Sequence, residues 1–160
     1  MIRISTRGRY ALRAMVDLAL HTDEGPVSRR DIAMRQEVSA DYVAQLFRRL
    51  RAAGLVEGVR GPGGGYRLAR DAATIRVGDV VRAVEGPIAV ADCVAPGGDL
   101  ACRLVEECAT RAVWQRVSRA VEKVLDEITL AELRDEARAW VTQDETCGKK
   151  SSGTLTSEVE

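Results

Sequence analysis

Leu12, Met15, Val16 and Ala19 recur at i, i+3, i+4 and i+7 inside "STRGRYALRAMVDLALH". That period predicts a helix with one buried face. After Gly25-Pro26, Ser28 precedes Asp31 by three residues, the spacing of a capping box, so a second, short helix starts there. A tight turn leads to "SADYVAQLFRRLRAAG". Here Ser39 can cap a third helix, and Val43, Leu46, Phe47 and Leu50 face inward. Asp41, Tyr42, Gln45, Arg48 and Arg49 remain outside, and Gly54 closes the helix. A short capped helix, a tight turn and a longer helix with polar first turns form a helix-turn-helix pattern. The pattern then changes period. Leu55–Val59 and Tyr66–Leu68 are short β-like runs around "RGPGGG", which predicts a hairpin. A helix-turn-helix followed by such a hairpin is a winged helix.

Further along, "ATIRVGDVVRAVEGP" predicts a short helix stopped by Gly86-Pro87. Trp114, Val117, Val121, Val124 and Ile128 then alternate at steps of three and four, an a/d seam of two heptads. Such a seam serves either a two-fold dimer or a helix packed on its own domain. Thr129 and Glu132 form another capping box, and Leu130, Leu133, Ala137 and Trp140 line a last short helix. The expected fold is mainly α. Residues 1–86 form a winged helix-turn-helix DNA-binding domain, 87–109 a cysteine-bearing loop, and 110–141 a long dimerisation helix with a packing helix. Residues 142–160 read as a polar, disordered tail.

Charge adds a division of labour. Residues 1–70 carry 13 Arg against 7 Asp and Glu, and the remainder is acidic by the same margin, so the net charge is zero. The basic half fits double-stranded DNA. On the third helix Ser39, Tyr42, Gln45 and Arg49 are candidates for the surface that reads DNA, with Ser28 at the start of the second helix. In the wing, Arg60 and the bare backbone of Gly63 and Gly64 can approach a DNA strand closely. Arg9, near the start of the first helix, is a phosphate candidate. The glycine loop lacks the Lys-Ser/Thr ending of a nucleotide-binding loop, and no catalytic histidine is evident, so an enzyme is not expected. No apolar stretch approaches the length of a membrane span, and no secretory signal is evident, so a cytoplasmic location is expected.

Three of the four cysteines, Cys93, Cys102 and Cys108, fall within sixteen residues, spaced C-x8-C-x5-C. This is not the C-x2-C of a zinc ribbon, and no second pair completes an all-thiolate zinc site. Cys108 precedes the long helix, where the helix dipole favours a thiolate. Thiolates are the ligands that iron–sulfur clusters prefer. The spacing alone also permits three free thiols without metal. Cys147 stands apart in the polar tail.

Taken together, "ISTRGRYALRAMVDLAL", "DYVAQLFRRLRAAGLVEGVRGPGGGYRLAR", "VGDVVRAVEG", the three-cysteine loop, "CATRAVW" and "ITLAEL" resemble the IscR branch of the Rrf family of bacterial winged-helix transcription regulators. NsrR and RirA types are related. The resemblance spans roughly residues 1–140. It implies a homodimer on palindromic promoter sites and an iron–sulfur cluster held by Cys93, Cys102 and Cys108. It also implies control of transcription by cluster status, as a repressor or an activator, often of cluster-assembly genes. One position departs from the pattern. A histidine three residues after the last cysteine completes a 2Fe-2S site in the best-known members, and here Arg111 stands there. A permanently protonated guanidinium cannot be a ligand. The aspartate that NsrR types use near the start of the first helix corresponds to Arg9. The fourth ligand is left to Asp92, Asp99, Glu106, Glu107, a partner group, an exogenous thiol or water. The closest resemblance favours 2Fe-2S, with 4Fe-4S as the alternative. Two other readings remain: a cluster-free regulator that senses through its thiols or a bound metabolic enzyme, and an iron–sulfur electron carrier.

Overall fold

The computed structural model describes residues 4–97 and 102–148, the side chains of 141–148 excepted. In chain order the elements are α1 (Thr6–His21), α2 (Arg29–Arg35), α3 (Ala40–Ala52), β1 (Val56–Val59), β2 (Gly65–Leu68), α4 (Val77–Glu85), α5 (Ala109–Glu127) and α6 (Leu130–Gly148). The chain is mainly α with one two-stranded sheet, the winged-helix order read from the sequence.

The helix starts are set by side chains that accept from backbone donors the helix itself cannot satisfy. Ser5 Oγ accepts from Arg7 and Gly8, Ser28 Oγ from Asp31 and Ser39 Oγ from Tyr42. Gly54, at φ +69°, ends α3 and donates to Arg51 O at 3.0 Å. In the core, Val43, Leu46, Phe47 and Leu50 of α3 meet Met15 and Leu18 of α1, Ile32 of α2, and Leu55, Ile75 and Val80. The buried face of α1 is broader than its period suggested. Ala11, Ala14 and Leu18 are fully covered, whereas Leu12 and Val16 are only half-buried. The reason is that α1 is enclosed from several sides, by α3, α4 and α6. One charge sits in this layer. Asp17, 4 % exposed, accepts two bonds from Arg35 (2.7 and 2.8 Å) and a third from Gln36, which ties α1 to α2.

β1 and β2 pair antiparallel, Val56 opposite Leu68 and Val59 opposite Gly65. The pattern did not reveal that Val27 joins this sheet. Val27 and Tyr66 exchange both backbone hydrogen bonds at 2.8 Å. Only glycine fits at residue 65, because a Cβ there would lie 2.2 Å from Val27 O. Tyr66 carries the wing down to the core by packing its ring 4.4 Å from that of Phe47.

Beyond a 3-10 turn at Ala72–Thr74, α4 is bolted to the junction of α5 and α6. Val77 N donates to Ile128 O, and Leu130 N to Ile75 O. Arg82 grips both oxygens of Asp126 (2.6 and 3.2 Å). The last helix departs from expectation. It runs Leu130–Gly148, as long as α5 at 19 residues, rather than ending near residue 141. The segment "TQDETC" is polar but holds no proline or glycine, so polarity there is compatible with a helix. Residues 149–160, the rest of the expected tail, lie outside the described residues. The seam also needs trimming, since α5 ends at Glu127 and Ile128 is the residue that leaves it.

Candidate nucleic-acid interface and cysteine joint

Two basic clefts flank the outer face of α3. The first, about 360 Å³, is lined by Tyr42, Gln45, Leu46, Arg48 and Arg49 of α3 and by Arg7 of α1. The second, about 330 Å³, lies between the wing and the helices, with Arg29, Arg51, Arg60, Gly64 and Tyr66 in its wall. The structure therefore brings together Tyr42, Gln45 and Arg49 as the sequence predicted, and sets Arg60 and Gly64 in the neighbouring cleft. Ser39 stands at the exposed start of α3, its Oγ accepting from Tyr42 N at 3.1 Å. Ser28 plays the same part for α2, and the adjacent Arg29 is the residue that lines the wing cleft.

Two glycine expectations change character. Gly63 adopts φ +73° at the exposed tip of the turn. Gly64 is required by the hairpin itself, since a Cβ there would lie 2.4 Å from Val59 O. Arg9, the phosphate candidate of α1, lines neither cleft. It lies on the α1 face toward α6, beside a groove of about 610 Å³ lined by Leu12, Val16, Leu20, Leu133, Ala137 and Trp140. Its place beside α3 is taken by Arg7, two residues earlier, because a step of two turns a helix by about 200° and moves the side chain to the opposite side. Sequence reasoning missed Arg7, Arg29 and Arg51. The surplus of arginine was visible, but which of them converge depends on helix packing.

The first turn of α3 is braced from behind. Tyr42 meets Tyr10 edge-on at 6.0 Å, and the Arg13 guanidinium stands 5.2 Å over the Tyr10 ring. Arg13 also donates to Gln36, which donates to Asp17, so the brace ends in the buried carboxylate. Behind the basic cleft, Val84 O accepts from both Arg7 Nη1 (3.2 Å) and Arg49 Nη1 (3.4 Å).

The cysteines lie along the segment that leads from α4 into the amino end of α5. Cys93 lies in a 3-10 turn at Asp92–Val94, Cys102 is exposed, and Cys108 is the residue that caps α5. Arg111, in the first turn of α5, donates from Nε to Cys93 O at 3.2 Å. Ser118 accepts from Val90 N and donates to Trp114 O. The loop is thereby stitched to α5 at two heights. The Thr110 hydroxyl, 3.2 Å from Cys108 Sγ, holds that thiol below its ordinary pKa, and the Arg111 backbone contributes next. Among the described residues, no three His, Cys, Asp or Glu side chains stand close enough to share one metal ion. Of the candidate fourth ligands, Asp92, Glu106 and Glu107 are exposed, and Asp99 lies outside the described residues. The chemistry of the donor set nonetheless suits a thiophilic iron centre: three thiols in one loop, one of them biased toward thiolate.

On α5 only Ser118 is buried. Val113, Trp114 and Val124 are left 51 %, 41 % and 55 % exposed. No helix among the described residues is long and apolar enough to cross a membrane.

Comparison with known proteins places this geometry. The model of Rrf2, described as an iron-dependent transcriptional regulator, matches residues 4–136. The HTH-type transcriptional regulator IscR of Klebsiella pneumoniae (strain 342) is 46 % identical over 132 residues, covering 82 % of this chain and 79 % of that protein. IscR of Serratia proteamaculans (strain 568) is 44 % identical over 143 residues, covering 89 % and 85 %. Among solved structures, CymR, the global cysteine regulator of B. subtilis, superposes with a TM-score of 0.70 at 41 % identity, covering 85 % of this chain and 98 % of that one. T. potens IscR gives 0.68 at 44 % identity, covering 84 % and 88 %. With the winged helix, the basic clefts and the cysteine joint in place, the chain belongs to the Rrf2 family of transcriptional regulators.

Proposed function

We propose that this chain is a DNA-binding transcriptional regulator that works as a homodimer on palindromic promoter sites and senses iron–sulfur status through Cys93, Cys102 and Cys108. The observation that carries the reading is the position of the thiols: two of the three segments that bear them meet at the start of α5, where Arg111 joins the Cys93 carbonyl to the turn behind Cys108. A signal received there lies between the DNA-reading domain (1–86) and the helix that would pair two copies (110–141).

The chain's own residues divide the work. Ser39, Tyr42, Gln45 and Arg49 would address the major groove, with Arg7 beside them, and Arg60 would reach the adjoining backbone or minor groove. Gly63, at the wing tip, would let the strand come close. Val113, Trp114 and Val124 would bury their apolar surface against a second copy of α5. A cluster, when bound, supplies a thiolate complex that responds to iron and oxidants. Cys93, Cys102 and Cys108 would hold it, and 2Fe-2S is favoured over 4Fe-4S. With Arg111 in place of a ligating histidine, an exposed carboxylate, a partner group or a small molecule would complete it. The absence of a catalytic constellation in the sequence and the regulator names of the relatives favour a non-enzyme, and the same relatives favour the cytoplasm.

The test is anaerobic purification of the full chain and of Cys102→Ala, with visible spectrum, iron and sulfide per chain. A coloured wild type and a colourless variant are expected, and the iron-to-chain ratio separates the two cluster types. A colourless, iron-free wild type that still retards promoter DNA would leave the cluster reading without support and favour a direct thiol sensor.

A further inference from the structure

The carboxyl end of α4 makes contacts that neither its fold role nor the proposed sensing accounts for. Glu85 is exposed and is the last residue of the helix, yet its Oε1 accepts from Gly8 N at 2.8 Å and from the Ser5 hydroxyl. It therefore caps a different helix, α1, eighty residues away in sequence. A carboxylate there is favoured by the unpaired donors and positive end of that helix. Gly8 is shaped for the contact: a Cβ would lie 2.9 Å from Glu85 Oε1. One residue earlier, Val84 O receives Arg7 Nη1 from α1 and Arg49 Nη1 from α3. Both guanidiniums line the cleft with Tyr42 and Gln45. Val84 itself is fully buried, so the carbonyl that gathers them is fixed by the core.

We propose that Glu85 is a positioning residue of the DNA interface: by pinning the start of α1 to the end of α4, it keeps Arg7 on the Val84 carbonyl, beside Arg49 and on the recognition-helix face. Arg7 belongs to the second helical residue of α1, where helices fray, and its aim depends on that terminus being held. Glu85 is a carboxylate beside cations that meet phosphate, so its charge opposes DNA while its oxygen helps. Two neutral variants separate these effects. Glu85→Gln keeps an amide oxygen that can accept from Gly8 and Ser5, whereas Glu85→Ala keeps none.

The inference rests on the DNA-binding reading and not on the cluster. The probe is the duplex that the wild-type full-length chain enriches from a random-sequence library. Affinity is measured against salt for wild type, Glu85→Gln, Glu85→Ala, Arg7→Gln and the Arg7→Gln/Glu85→Ala and Arg7→Gln/Glu85→Gln pairs, with thermal melting to establish that each is folded. Glu85→Ala is expected to bind about tenfold more weakly than Glu85→Gln, the loss of roughly one charge-assisted contact. Its log–log salt slope should be shallower by about one phosphate contact. In the Arg7→Gln background the difference between Ala and Gln should vanish. A merely structural cap would shift melting while leaving this coupling absent. Equal affinity of the two neutral variants, or a difference that persists without Arg7, overturns the proposal. Failure of the wild type to enrich any duplex overturns the DNA-binding reading and the proposal with it, and is told apart because no variant is involved.

Discussion

Gly65 shows how a single residue decides whether the wing exists. Its neighbours Val59 and Tyr66 define the hairpin, but the site where its Cβ would stand is already taken by the Val27 carbonyl, 2.2 Å away. Backbone, not a pliable side chain, is the obstacle. Gly65→Ala should therefore destabilise the fold by about 2 kcal/mol through overpacking and loss of the Val27–Tyr66 pair, as read by urea denaturation. The glycine run was legible in the sequence as a wing, but not which glycine served the fold and which served a partner. That distinction depends on Val27, nearly forty residues upstream, a contact no local pattern encodes. The same limit explains Arg9 and Arg7. Both were visible as cations on the first helix, and only the packing of α1 between α3 and α6 decides which of them faces the basic cleft.

At the scale of elements, caps and periods were readable because they are local. Ser28, Ser39, Thr129 and Gly54 all act where the sequence placed them. The Thr129–Glu132 box is reciprocal: Glu132 accepts from Thr129 N at 2.6 Å, and Glu132 N donates to Thr129 Oγ1 at 3.1 Å. The Thr129 backbone N–H, and next the Thr129 hydroxyl donating at 2.7 Å, hold the Glu132 carboxyl below its ordinary value. A carboxylate depressed on folding adds stability above its unfolded pKa and loses it as the pH falls through the folded one. The stability gap between wild type and Glu132→Gln should be full near neutrality and close in acid, below the ordinary carboxylate range. Chemical denaturation at a series of pH values checks this, and a gap unchanged in acid would disprove it. Element ends were less legible. The polar stretch after residue 141 looked like a tail, yet the backbone of α6 continues through Gly148, because composition reports burial more directly than it reports helicity.

At the scale of the whole molecule, α5 exposes what the DNA-reading domain hides. Its apolar residues Val113, Trp114 and Val124 are only partly covered within the chain, whereas Val43, Leu46, Phe47 and Leu50 of α3 are buried in the core. Val124→Asp should shift the chain from dimer to monomer in sedimentation, with little loss of helix content, since the site is 55 % exposed in the single chain. It should also weaken binding to a two-half-site duplex far more than to a single half-site, because the linked second contact disappears. A variant that stays dimeric would move the interface elsewhere on the molecule. The seam was legible as a stripe on a dimerisation helix; that Val113, outside the stripe, is exposed while Val117 and Val121 within it are half-buried was not, because that depends on how α5 packs on its own chain.

The attachments of α5 are uneven along its length. Its carboxyl end is clamped by Arg82 on Asp126 and by the backbone bonds of Val77 and Leu130, whereas its amino end is held to the cysteine loop by Arg111 and its middle by Ser118. Nineteen residues of helix measure about 28 Å, so the fulcrum and the point of input stand almost a full lever arm apart. A 2 Å displacement at Cys108 swings the shaft by only about 4°, and a second arm of the same length multiplies the swing at its own far end. Under the proposed pairing of two copies through α5, the long helix would act as a lever that turns a change the size of a bond length beside one thiol into a change in the spacing of two reading heads.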